Sequence, residues 1–168
     1  RDFHRIIEKI DGIQNPLLAS GYKNLAAVAK IMDSYDAWKV ADTYGALPYS
    51  EAFNVKEFPI HKNDYDYELY IKFDKQLKDA VDVLVANTTN QISFIKQDFF
   101  YNGDRVKWIR FANTLRIKIA QRYEQRDAAN LGSVLSDITS KYGGKVLYDA
   151  AKSFGYDKLH GWNNNQND

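Results

Sequence analysis

Cysteine is absent from the 168 residues of this sequence. That absence excludes a disulfide framework, a thiol nucleophile and a thiolate metal site. The sequence also lacks an apolar run of about 18 or more residues, the length that a transmembrane helix needs. Its 23 basic and 22 acidic residues leave a formal net charge of +1, so no global field attracts nucleic acid or an anionic membrane surface.

Signatures of enzymes are missing as well. The three histidines are scattered along the chain and form no metal-ligand motif. No Gly-x-Ser-x-Gly sequence and no phosphate-cradling glycine loop is present. Asp64, Asp66 and Glu68 alternate, but the glycine and distal glutamate of a calcium loop are lacking, so they are interpreted as acidic residues near a helix start. No catalytic residue, metal site or cofactor is therefore predicted.

What the sequence does contain is helical periodicity. Apolar residues make up 45% of the chain, and they recur at helical spacing with no convincing alternation of period two. The pattern predicts an all-α fold with long loops and little or no β structure. The predicted helices cover residues 3–10, 22–42, 66–86, 104–123 and 128–142, with a further short helix at 145–154 after Gly143-Gly144.

The helix at 104–123 is apolar on two faces. At about 100° per residue, one face carries Trp108, Phe111, Ala112, Leu115 and Ile119, and the other carries Val106, Ile109, Ile117 and Ala120. A helix with two apolar faces must pack on both sides, which is the position of an inner helix among stacked helical hairpins. The seven basic residues in this helix and just beyond its end scatter around it instead of forming one stripe, which argues against nucleic-acid binding.

The start of this helix has a simple structural interpretation. Asn102-Gly103 is a turn signal, and Asp104 is well placed to cap the helix and to interact with its dipole. Trp108, like Trp38 earlier in the chain, lies on a helical apolar face and is expected in the core.

Three blocks of sequence carry recognisable motifs, at residues 38–52, 65–84 and 98–122. The first reads Trp-Lys-Val-Ala-Asp-Thr-Tyr-Gly-Ala-Leu-Pro-Tyr-Ser-Glu-Ala, and the third begins Asp-Phe-Phe-Tyr-Asn-Gly-Asp-Arg-Val-Lys-Trp. In this order the blocks resemble the SusD/RagB family of Bacteroidetes surface lipoproteins. The motif positions interpreted as structural are Trp38, Asp42, Gly45, Pro48, Asp98, Gly103, Asp104, Trp108, Asn113, Arg116 and Arg122.

The chain also departs from the family pattern. Thr114 replaces a usual serine, Lys118 replaces an expected arginine, and residues 128–168 are harder to align. The lipid-bearing cysteine and the large C-terminal half are missing, and the first residues resemble neither a signal peptide nor a natural start. We therefore expect residues 1–168 to be a single helical scaffold from a larger SusD-like protein, with 155–168 as a polar loop or disordered end.

The resemblance implies tetratricopeptide-like hairpins and a binding function without catalysis. It implies a cell-surface protein of the outer membrane, tethered by a lipid that this chain lacks, serving a SusC-like, TonB-dependent transporter. Its ligand would be an oligosaccharide or polysaccharide, or less often a peptide. The candidate ligand contacts are Trp162, Asn163, Tyr44 and Tyr49, because a ring beside polar groups suits a sugar. The alternative is a helical array that binds proteins and no glycan.

Overall fold

A computed structural model describes residues 2–52, 57 and 59–142. It contains six helices: α1 (Asp2–Asp11), α2 (Pro16–Gly21), α3 (Lys23–Tyr44), α4 (Asp66–Ala86), α5 (Arg105–Tyr123) and α6 (Ala128–Tyr142). The described residues hold no strand, only one antiparallel bridge between Leu47 and Asp64. The prediction of an all-α fold is confirmed. The predicted helix at 145–154 lies outside the described residues.

Five of the six helices begin and end within two residues of the predicted bounds, but α2 was missed. It is only six residues long, too short to show a periodic apolar stripe. Its start signals are nonetheless present in the sequence. Pro16 occupies the first turn, and Asn15 Oδ1 accepts hydrogen bonds from the backbone amides of Leu17 and Leu18 at 3.0 and 3.2 Å.

The helices stack in hairpins. Helix α3 packs on α4, α4 on α5 and α5 on α6, while α1 packs on α3. Helix α5 therefore lies between neighbours, as predicted for an inner helix. One assignment was wrong: Val106 was placed on an apolar face that packs, but it is 46% exposed in the first turn of α5, where fewer neighbouring residues cover the helix.

Helix α3 is more deeply buried than its sequence indicated. Its predicted apolar stripe ran through Val28, Ala29 and Met32, which are buried. Ala27 and Ile31, outside that stripe, are buried too. The reason is that α3 has α1, α4 and α5 as neighbours and so must be covered on several sides. No helix in the described parts of the chain is both long and apolar enough to span a bilayer.

Helix α3 ends at a glycine with a special backbone. Gly45 has φ 83° and ψ −112°, and its amide donates to the Ala41 carbonyl at 2.8 Å. A side chain there would meet no atom within 4 Å, so the need for glycine is conformational and not steric.

We expect Gly45→Ala to lower the free energy of unfolding by about 1–3 kcal/mol, the usual cost of a strained backbone conformation. Gly132→Ala is the matched control, because Gly132 lies inside α6 with open space around its Cβ position. This control should gain about 0.5–1 kcal/mol through helix propensity. Urea unfolding followed by circular dichroism measures both, and shifts of the same sign would contradict the conformational argument.

Candidate functional site

The turn before α5 is built around the carboxylate of Asp98. Its Oδ1 accepts the backbone amides of Phe100 and Tyr101, both at 3.0 Å. Its Oδ2 accepts the Gly103 amide at 2.8 Å and the Trp108 indole Nε1 at 2.7 Å. The carboxylate is buried, and four donors compensate the loss of hydration. Asp98 and Trp108, ten positions apart in the sequence, therefore act as one structural unit.

Gly103 and Asp104 complete this turn. Gly103 has φ 73°, and a Cβ there would lie 3.0 Å from Ile95 Cγ1, so both conformation and space favour glycine. Asp104 Oδ1 accepts the amides of Val106 and Lys107 at 2.9 and 3.2 Å. The predicted helix cap is thus confirmed. This whole motif positions the first turn of α5.

Two motif residues far apart in the sequence meet at the opposite end of the bundle. Arg122 Nε donates to Asp42 Oδ1 at 3.0 Å, and Arg122 Nη2 donates to Asp42 Oδ2 at 3.1 Å. The Tyr70 hydroxyl donates to the same carboxylate at 3.3 Å. Burial, followed by the negative charge of Asp42, raises the pKa of Tyr70 to about 12. The pair joins the C-terminal ends of α3 and α5.

Arg116 is the most deeply buried charge in the described structure. Its Nε lies 2.8 Å from Asp74 Oδ1 on α4, and its Nη1 lies 3.0 Å from Asp137 Oδ2 on α6. Lys78 Nζ lies 3.1 Å from Asp137. Burial by itself would raise the pKa of Asp137, but the hydrogen bonds and charges of Lys78 and Arg116 outweigh it, so this pKa is lowered. The network ties three helices together.

The two tyrosines proposed as ligand contacts are in different environments. The Tyr49 hydroxyl donates to Asp33 at 2.7 Å and lies 3.3 Å from Gln76 Oε1, and its ring packs edge-on against Phe73 at 5.1 Å. Burial and the Asp33 carboxylate raise the pKa of Tyr49. Its polar end is therefore engaged within the fold. Tyr44, by contrast, is 79% exposed at the end of α3.

Only some of the remaining predicted residues lie in the described part of the chain. Trp38 and Trp108 are buried, so their predicted core positions are confirmed. Asn113 is also buried, and neither end of its amide has a hydrogen-bond partner among the described residues. Trp162 and Asn163 lie outside the described residues, so their proposed ligand contacts stay predictions.

An exposed aromatic stack was not predicted from the sequence. The rings of Tyr65 and Tyr67 are parallel, with centroids 5.7 Å apart and an interplanar angle of 8°. The guanidinium of Arg126 lies 4.6 Å from the centroid of Tyr67. Tyr65 remains 59% exposed. The sequence signal for this stack is the Tyr-x-Tyr spacing at the start of α4.

One cavity in the described structure has a lining without aromatic residues. It has a volume of about 690 Å³ and lies among α1, α2, α3 and α4. Ile10, Ala27, Ala80 and Val83 contribute apolar lining, whereas Lys and Asp side chains supply charge, and no aromatic ring takes part. Within the described ranges no group of three or more histidine or carboxylate side chains is arranged to hold a metal ion.

These contacts define the protein as an array of helical hairpins whose most recognisable residues hold helices and turns in place. A family model described as "SusD-like_2: Starch-binding associating with outer membrane" matches residues 2–156. The chain therefore belongs to the SusD-like family, and the resemblance found in its sequence is confirmed. A search of curated proteins found no match.

Two solved structures share the fold. A Bacteroidetes SusD-like protein, AC2a, is 25% identical with a TM-score of 0.64, over 80% of this chain and 24% of the other. A SusD homologue from Bacteroides vulgatus ATCC 8482 is 23% identical with a TM-score of 0.68, over 84% of this chain and 27% of the other. The chain thus spans about a quarter of the length of these relatives.

Proposed function

We propose that the protein binds glycans at the cell surface as the accessory of a TonB-dependent outer-membrane transporter. The observation that carries the proposal is the family match over residues 2–156, to a model described as starch-binding and associated with the outer membrane. The aromatic content supports it, since 12 Tyr, 9 Phe and 3 Trp supply many rings suited to sugar faces.

In this proposal the chain is the helical scaffold of a longer protein. The chain matches only about a quarter of each solved relative, which leaves room for a second part of the ligand platform and for a lipid tether. Trp162, Asn163 and Tyr44 are the ligand contacts we propose within this chain. Tyr49 is retained only through the part of its ring that does not pack on Phe73, since its hydroxyl is engaged with Asp33.

The proposed function is binding without turnover. The buried or paired carboxylates in the described region are held by structural partners, which supports this view. Asp98 accepts four hydrogen bonds from the turn and Trp108, Asp42 pairs with Arg122, and Asp137 pairs with Arg116 and Lys78. A carboxylate occupied in this way is poorly placed to act as a general acid or base.

We expect the longer protein to bind an oligosaccharide with a Kd in the range of about micromolar to millimolar. Aromatic stacking and a few hydrogen bonds supply only about 4–8 kcal/mol, and a surface receptor must release its ligand to the transporter. Isothermal titration with maltoheptaose and a panel of other glycans measures this. The 168-residue chain should bind more weakly than the longer protein, because much of its motif serves the scaffold.

Two further measurements make the result decisive. Trp162→Ala in the longer protein should weaken glycan binding without changing the melting curve.

If no glycan binds while a peptide or protein binds tightly, the alternative of a protein-binding helical array gains support. That alternative is supported by two exposed leucines of α2, Leu17 and Leu18, which are 84% and 52% exposed.

A further inference from the structure

We propose that the outer face of Tyr65, backed by Tyr67 and Arg126, is a stacking platform for one pyranose unit of a neutral glycan. The platform rests on the proposed function, because it assigns a subsite for the same class of ligand. The platform is distinct from the candidate ligand contacts Trp162, Asn163, Tyr44 and Tyr49.

The geometry leaves one face of Tyr65 available. Its inner face is offset-stacked on Tyr67, with parallel rings 5.7 Å apart. Tyr67 is held in turn by Arg126, whose guanidinium lies 4.6 Å from the ring centroid. Tyr65 is 59% exposed although Tyr67 lies on one side of it, and we infer that its exposed surface includes the ring face turned away from Tyr67.

The chemistry of that face suits a sugar. An aromatic ring carries negative potential over its face, which attracts the weakly positive C–H groups on the apolar side of a pyranose. The stacked arrangement also holds the ring before a ligand arrives. A side chain that is already ordered loses less conformational entropy on binding, so more of the contact energy appears as affinity.

Polar groups for the hydroxyl edge lie at the same end of the bundle. The bridge between Leu47 and Asp64 brings the residues just after Tyr44 alongside the residue just before Tyr65. The exposed Arg122, paired with Asp42, lies at the C-terminal end of α5, next to the loop that holds Arg126. The exposed ring of Tyr44 and the pair formed by Arg122 and Asp42 thus lie at the same end of the bundle as Tyr65.

The removal of the ring from Tyr65 tests the platform. In the longer protein, Tyr65→Ala should raise the Kd for maltoheptaose, or for another glycan that binds, by about three- to tenfold. This is the range expected for the loss of one aromatic contact. Tyr65→Phe should retain most of the affinity, because stacking uses the ring and not the hydroxyl. The backbone amide of Tyr65, which donates to Glu68 at 3.2 Å, remains in every variant.

Phe99→Ala is the matched control, since Phe99 is an 81% exposed ring in the loop at the other end of the bundle. It should leave affinity unchanged. Equal binding by the wild type and Tyr65→Ala, with unaltered melting curves, would overturn the platform while leaving the proposed function standing. Equal losses in Tyr65→Ala and Phe99→Ala would also overturn it. Absence of glycan binding by the wild type would instead remove the proposed function, and the platform with it.

Discussion

Replacing Trp108 with alanine is expected to lower the free energy of unfolding by about 3–5 kcal/mol, the range for a large aromatic lost from a core. Trp108 is only 2% exposed. Its indole makes edge-to-face contacts with Tyr101 at 4.9 Å and with Phe111 at 5.9 Å. The substitution leaves a cavity and also removes the donor that occupies Asp98 Oδ2. Urea unfolding at neutral pH measures the loss.

Two controls separate the contributions. Trp108→Phe keeps most of the packing but loses the indole N–H, so we expect a smaller loss of about 1.5–3 kcal/mol for a hydrogen bond to a charged group. Phe99→Ala removes an exposed ring from the same segment and should change stability by less than about 0.5 kcal/mol. A Trp108→Ala melt that matches the wild type within error would mean that α5 is not the inner helix.

Replacing Arg116 with methionine is expected to cost about 3 kcal/mol, at the lower end of the range for a broken buried ion pair. Methionine preserves much of the side-chain length, so the principal change is the loss of charge opposite Asp74 and Asp137. We place the value at the lower end because both carboxylates keep some contact with solvent. The measurement is again urea unfolding. The slope of the unfolding free energy against urea concentration should match that of the wild type, as expected for two-state behaviour.

The matched control is Arg122→Met, the same chemical change at a side chain that is 63% exposed. Asp42 is only 19% exposed, but the guanidinium of Arg122 is largely solvated and Asp42 keeps the Tyr70 hydroxyl as a donor, so we expect a loss of less than about 1 kcal/mol. Equal losses at the two positions would contradict the role assigned to burial.

The pH profile supplies an independent readout of the Arg116 network. The folded-state pKa of Asp137 is lowered, so its contribution is present above the unfolded value of about 3.9 and is lost as pH falls through the folded value. The stability gap between the wild type and Arg116→Met should therefore shrink below about pH 4. A gap that stays constant between pH 7 and pH 3 would argue against the pairing.

The sequence predicted the helices well where local signals were strong. Asp104 caps α5 through two backbone amides, and Gly45 ends α3 with a backbone conformation that favours glycine. Such signals act over a few residues and need no knowledge of the rest of the fold. Helix α2 has a cap and a proline as well, but its six residues gave the apolar pattern no room to repeat.

Pairings over long sequence separations could not be predicted in the same way. Arg116 was placed between two helical faces, but its partner Asp74 is 42 residues earlier, and the sequence has many carboxylates to choose from. The motif pair Asp42 and Arg122 spans 80 residues. Helical spacing determines on which side a residue lies, whereas its partner depends on how the helices are stacked.

The sequence by itself determined the all-α class, the bounds of the longer helices, the inner position of α5 and the SusD-like resemblance. The tertiary structure alone decided that Tyr49 is engaged with Asp33, while Tyr65 stacks on Tyr67 and remains 59% exposed. The physical reason is the range of the interactions. Caps and periodicity depend on neighbours within a turn or two, whereas burial, ion pairing and ring stacking depend on distant segments that meet only after the helices pack.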